Sequence, residues 1–179
     1  MQGRNFSYEE WLELDTGNLR TELLDGKVYV FKTPDILHQS IAGEIHLQIA
    51  DYLSGKACKS FLRIGVRIEE NTVFAPDIAI VCDRSKLDKY VCNGVPDLVI
   101  EILSPVTIKH DKITKFKAYR KAGVKEYWIV SPDEKMIDVH NLINDMYTTD
   151  KYLAEENIPV NILSGLEINL ASVFLEQEN

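Results

Sequence analysis

The sequence predicts an α/β fold in which a mixed β-sheet is flanked by helices. Two observations lead to this class: short β-prone runs alternate with long amphipathic segments, and no repeat, linker or low-complexity tract divides the 179 residues. A chain of this length can bury a complete core, so we expect a single domain over residues 1–179.

The first predicted elements are a short helix and a hairpin. In FSYEEWLEL, Ser7 is followed three residues later by Glu10, a capping box that predicts a helix over about residues 8–14. The next run, TELLDGKVYVF, carries Asp25 and Gly26 between two β-prone stretches. That dipeptide favours a tight two-residue turn, so the run predicts a β-hairpin.

The middle of the chain predicts one helix and three strands. Isoleucines at steps of four indicate an amphipathic helix over residues 38–53. The runs FLRIGVRIE, VFAPDIAIVC and DLVIEIL then predict one strand each, and residues 83–94 predict an exposed excursion before the third strand.

The last part of the chain begins with a second long helix. TIKHDKITKFKAYRKAG predicts this helix, with Gly123 as the residue that ends it. EYWIVS, KMIDVHN and MYTTDKY predict further strands, and LASVFLEQ predicts a short closing helix.

Composition limits the functions that the chain can have. Apolar residues make up 45% of the sequence, but no apolar run approaches the length of about 20 residues that a membrane span requires. No membrane partner is therefore expected, and without a secretory signal near the N-terminus a cytoplasmic location is expected. The net charge of −8 opposes broad affinity for nucleic acid, so any such contact needs a local basic patch.

The cysteines predict neither a disulfide framework nor a zinc site. Cys58, Cys82 and Cys92 form an odd set without CxxC spacing. We expect all three to be reduced.

Two carboxylates interrupt apolar runs that otherwise resemble buried strands: Asp77 in APDIAIV and Glu101 in PDLVIEILSP. Alternation places Glu101 on one sheet face with Val99 and Leu103. A buried, isolated carboxylate is very costly, so such acids need a cation or hydrogen-bond donors. Either the two acids share a metal ion, or each lies at a strand end and faces water.

Several separated motifs together resemble the Uma2 family. These are ELLDG, HQS, PDIAIV, PDLVIEILSP and AGVKEYWIVSP, in this order, together with a helix in which Asp, Lys and Tyr recur at steps of four. The family is a branch of the PD-(D/E)XK nuclease superfamily, so the resemblance implies a restriction-endonuclease-like core. It also implies that Glu22, Asp77 and Glu101 are catalytic acids that bind Mg²⁺ or Mn²⁺.

The resemblance also implies which lysine completes the site. The superfamily motif has a lysine two residues after the second acid, but Leu103 occupies that position here. The family supplies a lysine from the following helix, and Lys115 is the matching catalytic residue. Asp111, Lys115 and Tyr119 recur at steps of four, so one helical face presents all three. The alternative is that Lys115 only forms a surface pair with Asp111.

Other residues have weaker signals. His38, which resembles the histidine of the family's HQ pair, is either a proton carrier or donor beside the acids or a satisfied structural histidine. Lys109, Lys112 and Lys117 lie in the most basic helix, which is either a nucleic-acid contact or a solvated face.

The resemblance therefore implies a metal-dependent endonuclease that hydrolyses phosphodiester bonds of nucleic acid, with DNA as the expected substrate. A homodimer is one arrangement that this activity allows, because two sites can cut two strands. Two alternatives stay open. One is a catalytically inactive nuclease-fold protein with a regulatory or interaction role. The other is a metal-dependent hydrolase of a small phosphorylated substrate.

Overall fold

Two large β-sheets and the helices packed on them make up the architecture of this chain. The computed structural model describes residues 4–17 and 19–175. In chain order the elements are α1 (Tyr8–Leu12), β1 (Arg20–Leu24), β2 (Lys27–Phe31), α2 (Ile36–Tyr52), β3 (Lys59–Leu62), β4 (Gly65–Glu69), β5 (Thr72–Phe74), β6 (Ile78–Val81), a 3₁₀ turn (Arg84–Lys86), β7 (Val91–Asn93), β8 (Leu98–Ile102), a π-helical turn (His110–Lys115), α3 (Phe116–Ala122), β9 (Glu126–Ser131), β10 (Met136–Ile143), β11 (Met146–Leu153), β12 (Asn157–Pro159), β13 (Glu167–Asn169) and α4 (Leu170–Val173).

Both large sheets are mixed. The five-stranded sheet has the order β2-β1-β5-β4-β7, and its only parallel pair among the described residues is β4 with β7. The six-stranded sheet has the order β11-β10-β9-β8-β6-β3, with β8 and β9 parallel. Strands β12 and β13 form a small separate pair. The predicted α/β class, with mixed sheet flanked by helices, is confirmed.

Two runs that were each predicted as one strand divide between the sheets. FLRIGVRIE becomes β3 in the six-stranded sheet and β4 in the five-stranded sheet, and the chain turns at Arg63, whose φ is 54°. VFAPDIAIVC becomes β5 and β6, which are separated at Pro76, a residue that has no backbone N–H for a ladder. Asp77 therefore lies where the chain crosses from one sheet to the other.

The predicted helix start and hairpin are confirmed. Ser7 and Glu10 form the reciprocal capping box at α1. Between β1 and β2, Asp25 and Gly26 have φ values of 49° and 76°. Positive φ at both residues is what a type I′ turn requires, and glycine adopts it without steric cost.

The predicted alternation along β8 is also confirmed. One face contributes Leu98, Ile100 and Ile102 to a core formed with the buried isoleucines of α2. The opposite face contributes Val99 and Leu103 to a second core with Tyr119 and Tyr127. Strand β8 is therefore covered on both faces, and Glu101 lies on the side of the second core.

Residues 83–94 are less exposed than the sequence predicts. Val91 and Cys92 are buried, because β7 pairs with β4 and forms the outer strand of the five-stranded sheet. The prediction of an exposed excursion is wrong for these two residues. The intervening segment around Lys89 and Tyr90 is exposed.

The expectation of three reduced cysteines is wrong for two of them. Cys58 and Cys82 form a disulfide, while Cys92 is a free, buried thiol. The pairing of Lys59 with Val81 in the β3–β6 ladder places Cys58 and Cys82 directly opposite each other. Spacing along the chain could not reveal this pairing, because it depends on the register of two strands.

Replacing both Cys58 and Cys82 by serine is expected to lower the free energy of unfolding by about 3 kcal/mol, because the crosslink restricts the unfolded chain. Urea unfolding with and without a reductant measures this change. The wild-type protein should lose the same stability when reduced, and the double variant should not respond to the reductant. Equal stability of oxidised wild type and double variant would contradict the prediction.

The C-terminal part contains two strands that the sequence did not predict, β12 and β13, which pair with each other. The predicted closing helix is present as α4, Leu170–Val173. The predicted closing helix extends to Glu176 and Gln177, which lie outside the described residues. Within residues 4–17 and 19–175, no helix has the length and apolar character needed to cross a membrane.

Candidate active site

The two interrupting acids face each other across neighbouring strands. Ile78 pairs with Ile100 in the antiparallel β6–β8 ladder, and one further step places Asp77 opposite Glu101. Both side chains are 1% exposed, so neither faces bulk water at a strand end. The sheet itself therefore brings the two carboxylates together.

Asp77 is held by three donors. Arg20 Nη1 lies 3.1 Å from Oδ1, while Oδ2 accepts hydrogen bonds from Ile102 N at 2.9 Å and from His38 Nε2 at 3.2 Å. Burial alone would raise the pKa of Asp77, but the His38 hydrogen bond and the Arg20 charge outweigh it and lower that pKa. Asp77 is accordingly a carboxylate with a fixed orientation.

Glu101 contacts the lysine that the resemblance implied. Oε1 accepts hydrogen bonds from Lys115 Nζ at 2.8 Å and from Tyr119 Oη at 3.3 Å. Burial raises the pKa of Glu101 to about 8, against the opposing charge of Lys115. Glu101 is thus the acid in this site that most readily keeps a proton.

Glu22, on β1, is the least exposed acid of the site, with 0% exposure. Its Oε1 accepts a hydrogen bond from Ala75 N at 3.1 Å and lies 2.8 Å from Lys115 Nζ, and its Oε2 lies 2.9 Å from His110 Nε2. Burial opposes ionisation, but Lys115 and His110 together hold the pKa of Glu22 well below its usual range. Glu22 connects the five-stranded sheet to the two acids of the six-stranded sheet.

Sequence reasoning missed Arg20, which contacts all three acids. Nη1 lies 3.1 Å from Asp77, and Nη2 lies 3.0 Å from Glu22 and 3.7 Å from Glu101. Burial alone would lower the pKa of Arg20, but the three carboxylates outweigh it and raise that pKa. One signal was available: Arg20 lies two residues before Glu22, and strand alternation places such residues on the same face.

The π-helical turn explains why one helix contributes several site residues. Asp111 and Lys115 approach within 3.3 Å, and the Lys115 side chain is only 1% exposed, so the lysine is not part of a surface pair. His110 and Lys115 both contact Glu22 although they are five residues apart. In a regular α-helix such residues point about 140° apart. The Phe116 N–H bonds to the Asp111 carbonyl, a π-type bond that brings positions five apart onto one side.

Sequence reasoning also missed His110, because no pattern of fours includes it. The three lysines predicted to contact nucleic acid, Lys109, Lys112 and Lys117, are exposed on this helix, in contrast to the buried Lys115. Of the three, Lys112 lines a cavity beside the acids. The contact itself stays a prediction.

A cavity of about 210 Å³ connects the acids to solvent. Asp77, Glu101, Asp111 and Arg20 line it, together with His38. Glu22 is not among the lining residues, so Glu22 lies behind the other acids as seen from the cavity. A ligand that enters this cavity meets Asp77 and Glu101 first.

The charges of the site fit a divalent cation. Four acids, Glu22, Asp77, Glu101 and Asp111, are buried beside only two permanent cations, Arg20 and Lys115, and burial leaves Glu101 with a raised pKa that a bound cation would lower. In addition, Asp111 Oδ1 is buried and accepts no hydrogen bond from a described residue, although Lys115 lies nearby. Carboxylate oxygens are the ligands that Mg²⁺ prefers. Among the described residues, however, no three such side chains are already arranged as a ligand set.

Comparisons with known proteins identify relatives of this chain in sequence and in fold. The family model Uma2, described as "Putative restriction endonuclease", matches residues 7–171. An uncharacterized protein of Synechocystis sp. is 27% identical over 144 residues, which cover 78% of this chain and 75% of that protein. A crystal structure from Anabaena variabilis, described as "a putative nuclease belonging to DUF820", superposes with a TM-score of 0.78 at 22% identity and covers 94% of this chain and 97% of that one. At this identity the structural match shows a shared fold.

Proposed function

The chain belongs to the Uma2 family, and from this membership and the buried acid cluster we propose that it is a metal-dependent nuclease that hydrolyses phosphodiester bonds, with DNA as its substrate. The observation that carries the proposal is the position of Asp77 and Glu101, opposite each other in the sheet and exposed to one cavity. Paired buried carboxylates beside a cation are what binding of a hard metal ion and a phosphate requires.

In this proposal Asp77 and Glu101 hold Mg²⁺ or Mn²⁺, and Asp111 lies within reach of the same cavity. When bound, the ion polarises the phosphoryl group and lowers the pKa of a water. Glu22 is the third predicted ligand. Because it does not line the cavity, its contacts with Arg20 and Lys115 also support a role in fixing those two cations.

The chain's own residues position the reacting groups. Lys115 does not line the cavity; it lies against Glu22, Glu101 and Asp111, so it acts as an ammonium group that holds these carboxylates in position rather than as a free amine. Tyr119 holds Glu101 through its hydroxyl. His38 donates to Asp77 and so fixes the orientation of that carboxylate.

The test is cleavage of supercoiled plasmid and of single-stranded DNA in magnesium or manganese. We expect cutting that EDTA abolishes and that Asp77→Ala lowers at least about 100-fold, because the variant loses a charged ligand at the reacting centre. Asp150→Ala, which changes an exposed aspartate on β11, is the matched control and should cut normally. Circular dichroism establishes that each variant is folded.

Cleavage that persists in folded Asp77→Ala protein would place the activity elsewhere. Cleavage of neither DNA by folded wild-type protein would favour a second candidate function, a nuclease-fold protein that no longer cuts. One observation favours this alternative: the Arg20 guanidinium already lies within 3.7 Å of all three acids and supplies positive charge where a metal would.

A further inference from the structure

A second cavity, of about 220 Å³, lies beside the one that holds the acids. The two cavities share Asp35, His38 and Ser104 in their walls. The second one lies at the carboxyl ends of the parallel strands β8 and β9, between the loops that begin with Ser104-Pro105 and Ser131-Pro132. In open α/β sheets this end of the strands is where ligands commonly bind.

Two buried polar atoms in the walls have no hydrogen-bond partner among the described residues. They are His38 Nδ1 and Ser131 Oγ, and both residues are 5% exposed. Leaving a buried polar group unpaired is costly, so each of these atoms needs a hydrogen-bond partner, and the cavity beside them can admit a water or a ligand that supplies it. His38 Nε2 lies 3.2 Å from Asp77 Oδ2, and in the tautomer that carries its one proton on Nε2 the other nitrogen, Nδ1, is an acceptor.

The charge of the walls disfavours a phosphate as that ligand. Asp35, Asp133 and Glu134 line the cavity, and Lys112 is the one cation among its described lining residues. Asp35 already accepts a hydrogen bond from the backbone of His38, but Asp133 and Glu134 are exposed at the rim. Carboxylates and an acceptor nitrogen together favour a ligand that donates hydrogen bonds.

The rest of the cavity wall is apolar and can pack against the face of a flat ring. The apolar lining residues are Leu37, Leu103, Pro105, Ile108 and Pro132. Nucleobases combine a flat apolar face with a polar edge, and carboxylates accept hydrogen bonds from exocyclic amino groups such as N4 of cytosine.

We propose that this cavity is a subsite for a nucleobase that carries an exocyclic amino group. The inference rests on the proposed nuclease function for its ligand class, and it adds a preference for cytosine and adenine over thymine. The base edge meets His38 Nδ1 and Ser131 Oγ. Because His38 also contacts Asp77, the base lies next to the acids, as it must if its nucleotide carries the cleaved phosphate.

The experiment uses free nucleosides, which have no phosphate and so need neither metal nor cleavage. Cytidine, adenosine and 5-methyluridine, the ribonucleoside of thymine, are titrated separately into the ¹⁵N-labelled full chain in EDTA, and amide shifts of residues that line the cavity are followed. We expect cytidine and adenosine to bind at least about fivefold more tightly than 5-methyluridine, the ratio that one additional hydrogen bond gives. Ser131→Ala should lose about fivefold in cytidine affinity, and Ser164→Ala, an exposed serine elsewhere, should lose nothing.

Glu134→Gln provides a second variant at an exposed position and should also weaken cytidine binding. Equal shifts with all three nucleosides, or none at the cavity, would overturn the subsite. Selective binding in a protein that cuts no DNA would leave the subsite and remove the nuclease function. Metal-dependent cleavage without selective nucleoside binding would support the nuclease function and overturn the subsite.

Discussion

Lys115→Met is expected to lower the free energy of unfolding by about 3–5 kcal/mol, because the change leaves buried carboxylates without their shared cation. Lys115 Nζ lies 2.8 Å from both Glu22 and Glu101, and the side chain is 1% exposed. Methionine has a similar length and keeps the packing, so the loss reports the charge. Urea unfolding measures it. In the DNA assay the folded variant should cut at least about 100-fold more slowly.

The matched control is Lys121→Met on the same helix. Lys121 also pairs with a glutamate, Glu69, at 2.8 Å, but its side chain is 78% exposed. An exposed pair contributes about 0–1 kcal/mol, so this variant should unfold almost as the wild type does. Similar losses in the two variants would show that the buried cluster does not depend on the Lys115 charge.

Arg20→Met is expected to lower the free energy of unfolding by about 3 kcal/mol in EDTA, because Arg20 is the cation that Asp77, Glu22 and Glu101 share. Magnesium should restore much of this loss. An ion at 100 times its dissociation constant adds about 2.7 kcal/mol to the folded state. The variant should therefore gain more stability from magnesium than the wild type does, as measured by unfolding with and without the ion.

This comparison also distinguishes the two candidate functions. If the acids bind a metal ion, magnesium stabilises the Arg20 variant more than it stabilises Arg4→Met, a change in an exposed surface pair that should respond to the ion as the wild type does. If Arg20 has permanently replaced the metal, magnesium adds no stability to the wild type, because the guanidinium already occupies the position between the acids. That second outcome, together with absence of cleavage, would identify the chain as a nuclease fold without nuclease chemistry.

Lys115 lies beside Glu101 although Leu103 occupies the strand position where the motif has a lysine. Leu103, at the motif position, belongs to the second core with Tyr119. Lys115 comes instead from the π-helical turn and reaches Glu101 from the helix side, at 2.8 Å. A lysine ammonium therefore lies beside the second acid although the strand does not provide it.

The sequence by itself determined the elements whose signals are local. The capping box at Ser7, the Asp25-Gly26 turn and the alternation around Glu101 each depend on residues a few positions apart, and all three are confirmed. Asp77 and Glu101 were conspicuous for the same reason, since a charge within an apolar run is visible in one segment. Their roles in catalysis stay predictions.

Only the tertiary structure decided which distant residues meet. Arg20 reaches Glu22 on its own strand, Asp77 at the crossing between the sheets and Glu101 on β8. His110 reaches Glu22 only because the helix has a π-helical turn at that point. Cys58 and Cys82 pair because a strand register places them opposite each other. Such contacts are fixed by how sheets cross and pack, and the free energy that selects them is spread over the whole core rather than over any one segment.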